Sequence, residues 1–175
     1  GSNDGGTSVR MVGQFLFWLQ ESMAKVFVVS TANDVTKLPP ELLRRGRFDE
    51  LFFVDLPGEM ERQDIINLYV KRNLLHPPSR DTLSKLVEIS DGFAGSDLEG
   101  AVRDVAIQAV IHGDRAVDDA LFEKCFRNIV PLSKTAPEKI EAIRIWGRER
   151  ALPASGVSWD VSPNDKALGK RSIII

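Results

Sequence analysis

Residues 26–55, VFVVSTANDVTKLPPELLRRGRFDELFFVD, run from one apolar strand pattern to another, and their reading decides the fold. Val26, Phe27, Val28 and Val29 are apolar at every position and mostly β-branched, the pattern of a central parallel strand covered on both faces. That pattern ends at Ser30-Thr31-Ala32-Asn33-Asp34, and in open parallel sheets ligands collect beyond the carboxyl ends of the strands. Asn33 carries a donor and an acceptor, so it suits holding a water and a phosphate oxygen together. It equally suits a turn in which the amide bonds its own backbone. Residues 38–44 read as a short helix, with Pro40 at the first position, where no N–H is needed, and Gly46 as the left-handed stop. Arg44 and Arg47 flank that stop and Asp49 follows. This gives either guanidinium groups aimed at a phosphate or a solvated basic turn in which Asp49 pairs one arginine. Residues 51–54 return to a strand pattern, and Asp55 at its end starts a turn.

Working outward, Ser8 is an N-cap for a helix over residues 9–22, after a loop at residues 1–7. Met11, Phe15 and Leu19 line one side with Val12, Leu16 and Trp18 beside them, a face wide enough to lie on a sheet. Helix followed by buried strand implies an α/β layer. After Pro57-Gly58 the strand patterns stop and helical ones begin. A helix over 59–73 points Met60, Ile65, Ile66, Leu68 and Tyr69 inward, and Asp81 caps a second with Leu83, Leu86, Val87 and Ile89 at helical spacing. Ser96 and Glu99 make a capping box for a helix to His112 with Leu98, Val102, Val105 and Ala109 as its stripe. Asp118 starts another with Phe122, Cys125, Phe126 and Ile129 inward. Thr135 and Glu138 cap a last helix to Arg150, and an irregular tail follows.

The chain has 175 residues, 43% of them hydrophobic, enough for one good core or two small ones. A net charge of −2 and a pI near 5.8 give no general attraction to nucleic acid, and none is expected as a partner. The single Cys125 excludes an internal disulfide and a cysteine metal site, and its place on an apolar stripe makes it a core thiol. No leader pattern and no membrane-length apolar run is present, so the expected setting is soluble, in the cytoplasm or, for an algal protein, the plastid stroma, with no membrane partner.

Thr31-Ala32-Asn33 followed by Leu43-Arg44-Arg45-Gly46-Arg47-Phe48-Asp49 resembles, in order and spacing, the second region of homology of the AAA family of ATPases. The resemblance implies that Asn33 is the polar sensor 1 residue that positions the attacking water. It makes Arg44 and Arg47 fingers that reach the γ-phosphate held by a neighbouring subunit. Arg45 stands where the family often has Pro and is assigned no catalysis. The four helices after the α/β layer match the family's lid, and Gly92-Phe93-Ala94-Gly95-Ser96-Asp97-Leu98 resembles its sensor 2 region. Gly95 and Ser96 would then lie against adenine and ribose, with Ile65 and Tyr69 near the base; read from the residues alone, Ile65 and Tyr69 fit plain core packing equally well. Ser96 replaces the commoner Ala, and no arginine here serves as a sensor 2 finger. Residues 4–10 and Pro131-Leu132-Ser133 are similar to an AAA branch found as an open reading frame in cyanobacteria and algal plastids.

The expected fold class is therefore α/β: the last strands and helices of a parallel-sheet AAA nucleotide domain over residues 1–57, an all-α lid over 58–130, and a C-terminal helix and tail over 131–175. No Gly-x4-Gly-Lys-[Ser/Thr] occurs and no strand pattern ends in Asp-Glu, so the phosphate loop and acidic metal motif are absent from this sequence. The resemblance implies the C-terminal portion of an ATPase that uses ATP and magnesium in a homo-oligomeric ring, expected to be a hexamer, to remodel a protein substrate. By itself the chain should hold no metal and bind no nucleotide tightly. The other reading is a non-catalytic interaction module that docks onto other AAA subunits.

Overall fold

The computed structural model describes residues 4–21, 23, 25–35, 38–43, 48–112, 117–156 and 159. The chain divides into two compact units, Val54–Ile145 and Gly1–Phe53 with Trp146–Ile175.

The first unit is helical: α2 (Glu59–Asn73), α3 (Arg80–Ile89), α4 (Gly95–His112), α5 (Asp119–Asn128), α6 (Leu132–Thr135) and most of α7 (Pro137–Arg150). Its core is one cluster in which Leu98, Val102 and Val105 of α4 meet Ile66 of α2, Leu86 of α3 and Phe122 and Phe126 of α5. The α4 stripe is the one expected, because apolar residues recurring at three and four residues fall on one face of a helix. Each large side chain fully buried here contributes about 1.5–3 kcal/mol. Cys125 belongs to this core, and burial pushes its thiol pKa up, which keeps it protonated.

On α2 the buried face is Arg62, Ile66 and Val70, one residue every turn. Ile65 and Tyr69 are half-buried against the core, whereas Met60 and Leu68 point outward, contrary to expectation. The reason is that an apolar residue four positions from another can lie on the same stripe, while Leu68 is rotated away from Ile66.

The caps also differ from the expected ones. Ser79 caps α3 by accepting from Thr82 N at 3.2 Å, not Asp81, and α4 begins at Gly95, with Asp97 accepting from Ala94 N at 2.9 Å. Ser96 is thus already inside the first turn and makes no capping box with Glu99. Thr135 ends the short α6 instead of capping α7, which starts on Pro137. Asp118 does cap α5, through Leu121 N at 2.8 Å. The neighbouring Asp119 accepts from Ser79 N at 3.1 Å, and this bond holds its carboxyl below the ordinary value of 3.8.

The second unit holds α1 (Asp4–Glu21), a 3-10 turn at Pro40–Leu43, β1 (Phe52–Phe53), the end of α7 and β2 (Leu152–Pro153). The helix starts at Asp4, inside the expected loop. Proline opens the short turn, as its fixed φ and missing N–H require. β1 and β2 form a parallel pair with Phe52 opposite Leu152 and Phe53 opposite Pro153. Leu152 N donates to Leu51 O at 2.9 Å and Ala154 N to Phe53 O at 2.8 Å.

Val26, Phe27, Val28 and Val29 do not form the expected central strand. This stretch is irregular, with Phe27 93% exposed, and the expected face of α1 is partly open too, with Met11, Phe15 and Trp18 exposed and Val12, Leu16 and Leu19 half-buried. A central parallel strand holds its shape through hydrogen bonds to strands on both sides. Among the described residues the only strand pairing is β1 with β2.

Gly147 of α7 lies against the buried Phe53: a Cβ there would stand 2.7 Å from the Phe53 ring. Trp159 covers the same ring with centroids 5.2 Å apart, and its Nε1 donates to Ala151 O at 3.2 Å. Gly147→Ala should therefore destabilise this unit, because overpacking costs about 1–3 kcal/mol and outweighs the ~1 kcal/mol helix preference of Ala over Gly. Gly100→Ala, where nothing lies within 4 Å of the added Cβ, should stabilise the helical unit instead. Urea unfolding followed by tryptophan fluorescence and by circular dichroism checks both; a Gly147→Ala midpoint at or above that of the unaltered chain would refute the close contact.

Candidate functional site

Asn33 sits exposed at a bend after the irregular stretch, shortly before the 3-10 turn in which Leu42 N donates to Pro39 O at 2.9 Å. Arg44 and Arg47 lie outside the described residues; Phe48, next in the chain, is half-buried and Asp49 exposed.

The other candidate residues belong to the helical unit. Ile65 and Tyr69 stand one turn apart on α2, both half-buried against the core cluster. Gly95 and Ser96 form the first turn of α4, one turn ahead of the buried Leu98. α2 and α4 pack directly on each other. Ile65 and Tyr69 take part in core packing, and this leaves one face of each accessible. Gly95 has nothing within 4 Å of where a Cβ would stand, and Ser96 is exposed, so the start of α4 is open to a flat ligand.

Half-buried apolar side chains and a bare glycine backbone suit a base and sugar. The charge at this helix start is the carboxylate of Asp97, already bonded to Ala94 N, and it would repel a triphosphate. Among the described residues, the start of α4 thus combines an exposed Ser96 and an open Gly95 with one carboxylate, Asp97, that already accepts from Ala94 N.

The turn leading to Gly95 is tightly held. Gly92 has φ +76°, and a Cβ there would stand 2.6 Å from Ser133 Oγ, so only glycine fits. On its other side Arg62, 8% exposed, donates from Nε and Nη2 to Val87 O at 3.3 and 3.1 Å and from Nη1 to Pro57 O at 3.2 Å. Nη1 also lies 3.5 Å from Asp91 Oδ1. Sequence reasoning missed Arg62; the signal was an arginine one turn ahead of Ile66 and Val70 on the same face. Arg144 Nε donates to both Asp55 carboxylate oxygens at 2.9 and 3.1 Å, anchoring the residues just after β1 to α7. Among the described residues no helix is long and apolar enough to cross a membrane.

Residues 1–56 match the model of the ATPase family associated with various cellular activities (AAA). That match contains Asn33, Arg44 and Arg47 in the order and spacing already described. The chain belongs to the AAA family. It is 35% identical over 153 residues to the AAA domain-containing protein ycf46 of Pyropia yezoensis, covering 87% of this chain and 31% of that one. To the ycf46 protein of Guillardia theta it is 37% identical over 147 residues, covering 83% and 28%. The chain thus spans about a third of the length of these curated relatives. The AAA domain of FIGL-1, a solved structure, superposes with a TM-score of 0.50 at 20% identity over 61% of this chain and 38% of that one. This supports the α/β AAA fold with a helical lid.

Proposed function

We propose that this chain supplies the C-terminal portion of an AAA ATPase that hydrolyses ATP, with magnesium, in a ring of like subunits, a hexamer in the complete protein. What supports the reading is the family match over residues 1–56, together with the resemblance of the motif holding Asn33, Arg44 and Arg47 to the family's second region of homology. In this reading Asn33 orients the attacking water. Arg44 and Arg47 reach across to a neighbour's nucleotide, where planar, permanent positive charge offsets the charge that spreads over the transferring phosphoryl oxygens. Ile65, Tyr69, Gly95 and Ser96 bound the base and sugar. Residues 1–57 form the end of the nucleotide domain, 58–130 the lid and 131–175 a C-terminal extension. The work driven is remodelling of a protein substrate, in the cytoplasm or the stroma of a plastid.

Phosphate and metal ligands come from sequence that this chain does not contain. Calorimetric titration of the chain with ATP and magnesium should accordingly give no tight stoichiometric site. A site with a dissociation constant in the low micromolar range would count against the reading.

The missing phosphate loop also favours a second reading, a non-catalytic module that docks onto other AAA subunits. The gene immediately upstream of Gly1 separates the two: a phosphate loop there supports the enzyme, and a start codon supports the module.

A further inference from the structure

We propose that Arg62 is a positioning residue that couples the α3–α4 turn to the linker at residues 55–58, so that a displacement of either is passed to the other. Its meaning for nucleotide handling rests on the reading of Gly95 and Ser96 as the base-facing end of that turn; the coupling itself rests on geometry. One planar guanidinium bonds Val87 O at the end of α3 and Pro57 O in the linker, and reaches Asp91 at the head of the turn. Its donors have fixed mutual angles, so the acceptors cannot shift relative to one another without breaking a bond. Ser90, fully buried, donates from Oγ to the same Val87 O at 3.1 Å and locks the start of the turn to the same point.

The far side of the turn is closed by Ser133 against Gly92, and the near end of the linker by the Arg144–Asp55 pair. Turn and linker are therefore each held from outside and joined to each other through Arg62. An arginine serving only stability would fill the same space without transmitting anything. The two roles differ in what happens at the linker when the turn is disturbed from its far side. Lysine at 62 keeps the charge and most of the stem, but a compact ammonium on a flexible stem does not hold two carbonyls in fixed relation.

The test is a double-mutant comparison on the intact chain, read by amide resonances. Ser133→Ala and Gly92→Ala disturb the turn without touching the linker. With Arg62 in place, each should shift the amides of Leu56 and Gly58 together with that of Phe93. In the Arg62→Lys background the Phe93 shift should remain while those at Leu56 and Gly58 are lost. Where Phe93 shifts, linker shifts that persist in Arg62→Lys, or that are absent with Arg62 present, overturn the coupling. Ser133→Ala removes one hydroxyl and leaves Arg62 in place, so a Phe93 shift without linker shifts in that variant overturns the coupling even where the other variants fail to fold. Addition of ADP forms a separate arm: absence of shifts at Gly95 and Ser96 removes the base-seat reading, and the coupling is still decided by the variants.

Discussion

Arg44→Ala in the complete, assembled protein is expected to lower ATP turnover by about three to five orders of magnitude, the range found where a single arginine finger is removed. The loss should fall on kcat, because the guanidinium meets charge that develops only as the phosphoryl group transfers. Arg44→Lys should not restore it, since a point charge cannot reproduce two parallel donors on neighbouring oxygens. Arg47→Ala should behave alike, and Arg45→Ala should change turnover much less. In the proposed arrangement, with the fingers on a neighbour's nucleotide, mixing Arg44→Ala subunits with subunits that keep their fingers but cannot bind ATP should recover activity. Steady-state phosphate release against subunit ratio measures this. Full turnover by strictly monomeric Arg44→Ala protein would remove the proposed role.

Phe126→Ala should strongly destabilise the helical unit, and unfold it if its stability lies at the low end of the usual range. Phe126 is fully buried and packs among the residues that join α5 to the rest of the core. Removing such a ring costs about 3–5 kcal/mol, against a total stability of roughly 5–15 kcal/mol for a domain. Loss of helical circular dichroism at moderate temperature, with urea midpoints for Phe126→Leu falling between, is the expected result. Retention of a cooperative transition near that of the unaltered chain would show that the core is not organised around α5. Val110→Ala, on the exposed side of α4, should by contrast do little.

Much of the helical unit was legible because the information is local. Glu59–Asn73 and the end of α4 at His112 follow from periodic apolar residues and from breakers next to them in the chain. The stripe Leu98, Val102, Val105 and Ala109 is buried as its spacing implied. The caps were less legible, since Ser79, Asp81, Ser96 and Asp97 all have side chains able to cap, and the packing of the following helix decides which meets a free N–H. The family membership was legible in the short motif over residues 31–49, which lies inside the family match over residues 1–56.

By itself, then, the sequence determined most helices of the helical unit, the stripe that α4 buries, the lack of a phosphate loop in this stretch and the family. Only the tertiary structure decided that Leu152 and Pro153 return to pair with β1, that Gly147 must lack a side chain, and that Arg62 is buried between two carbonyls. The physical reason is range. A helix satisfies its own backbone within four residues, so its pattern is written locally. A strand or a buried guanidinium is satisfied only by groups far along the chain, so Val26 to Val29 carry a strand pattern and yet pair with no strand among the described residues.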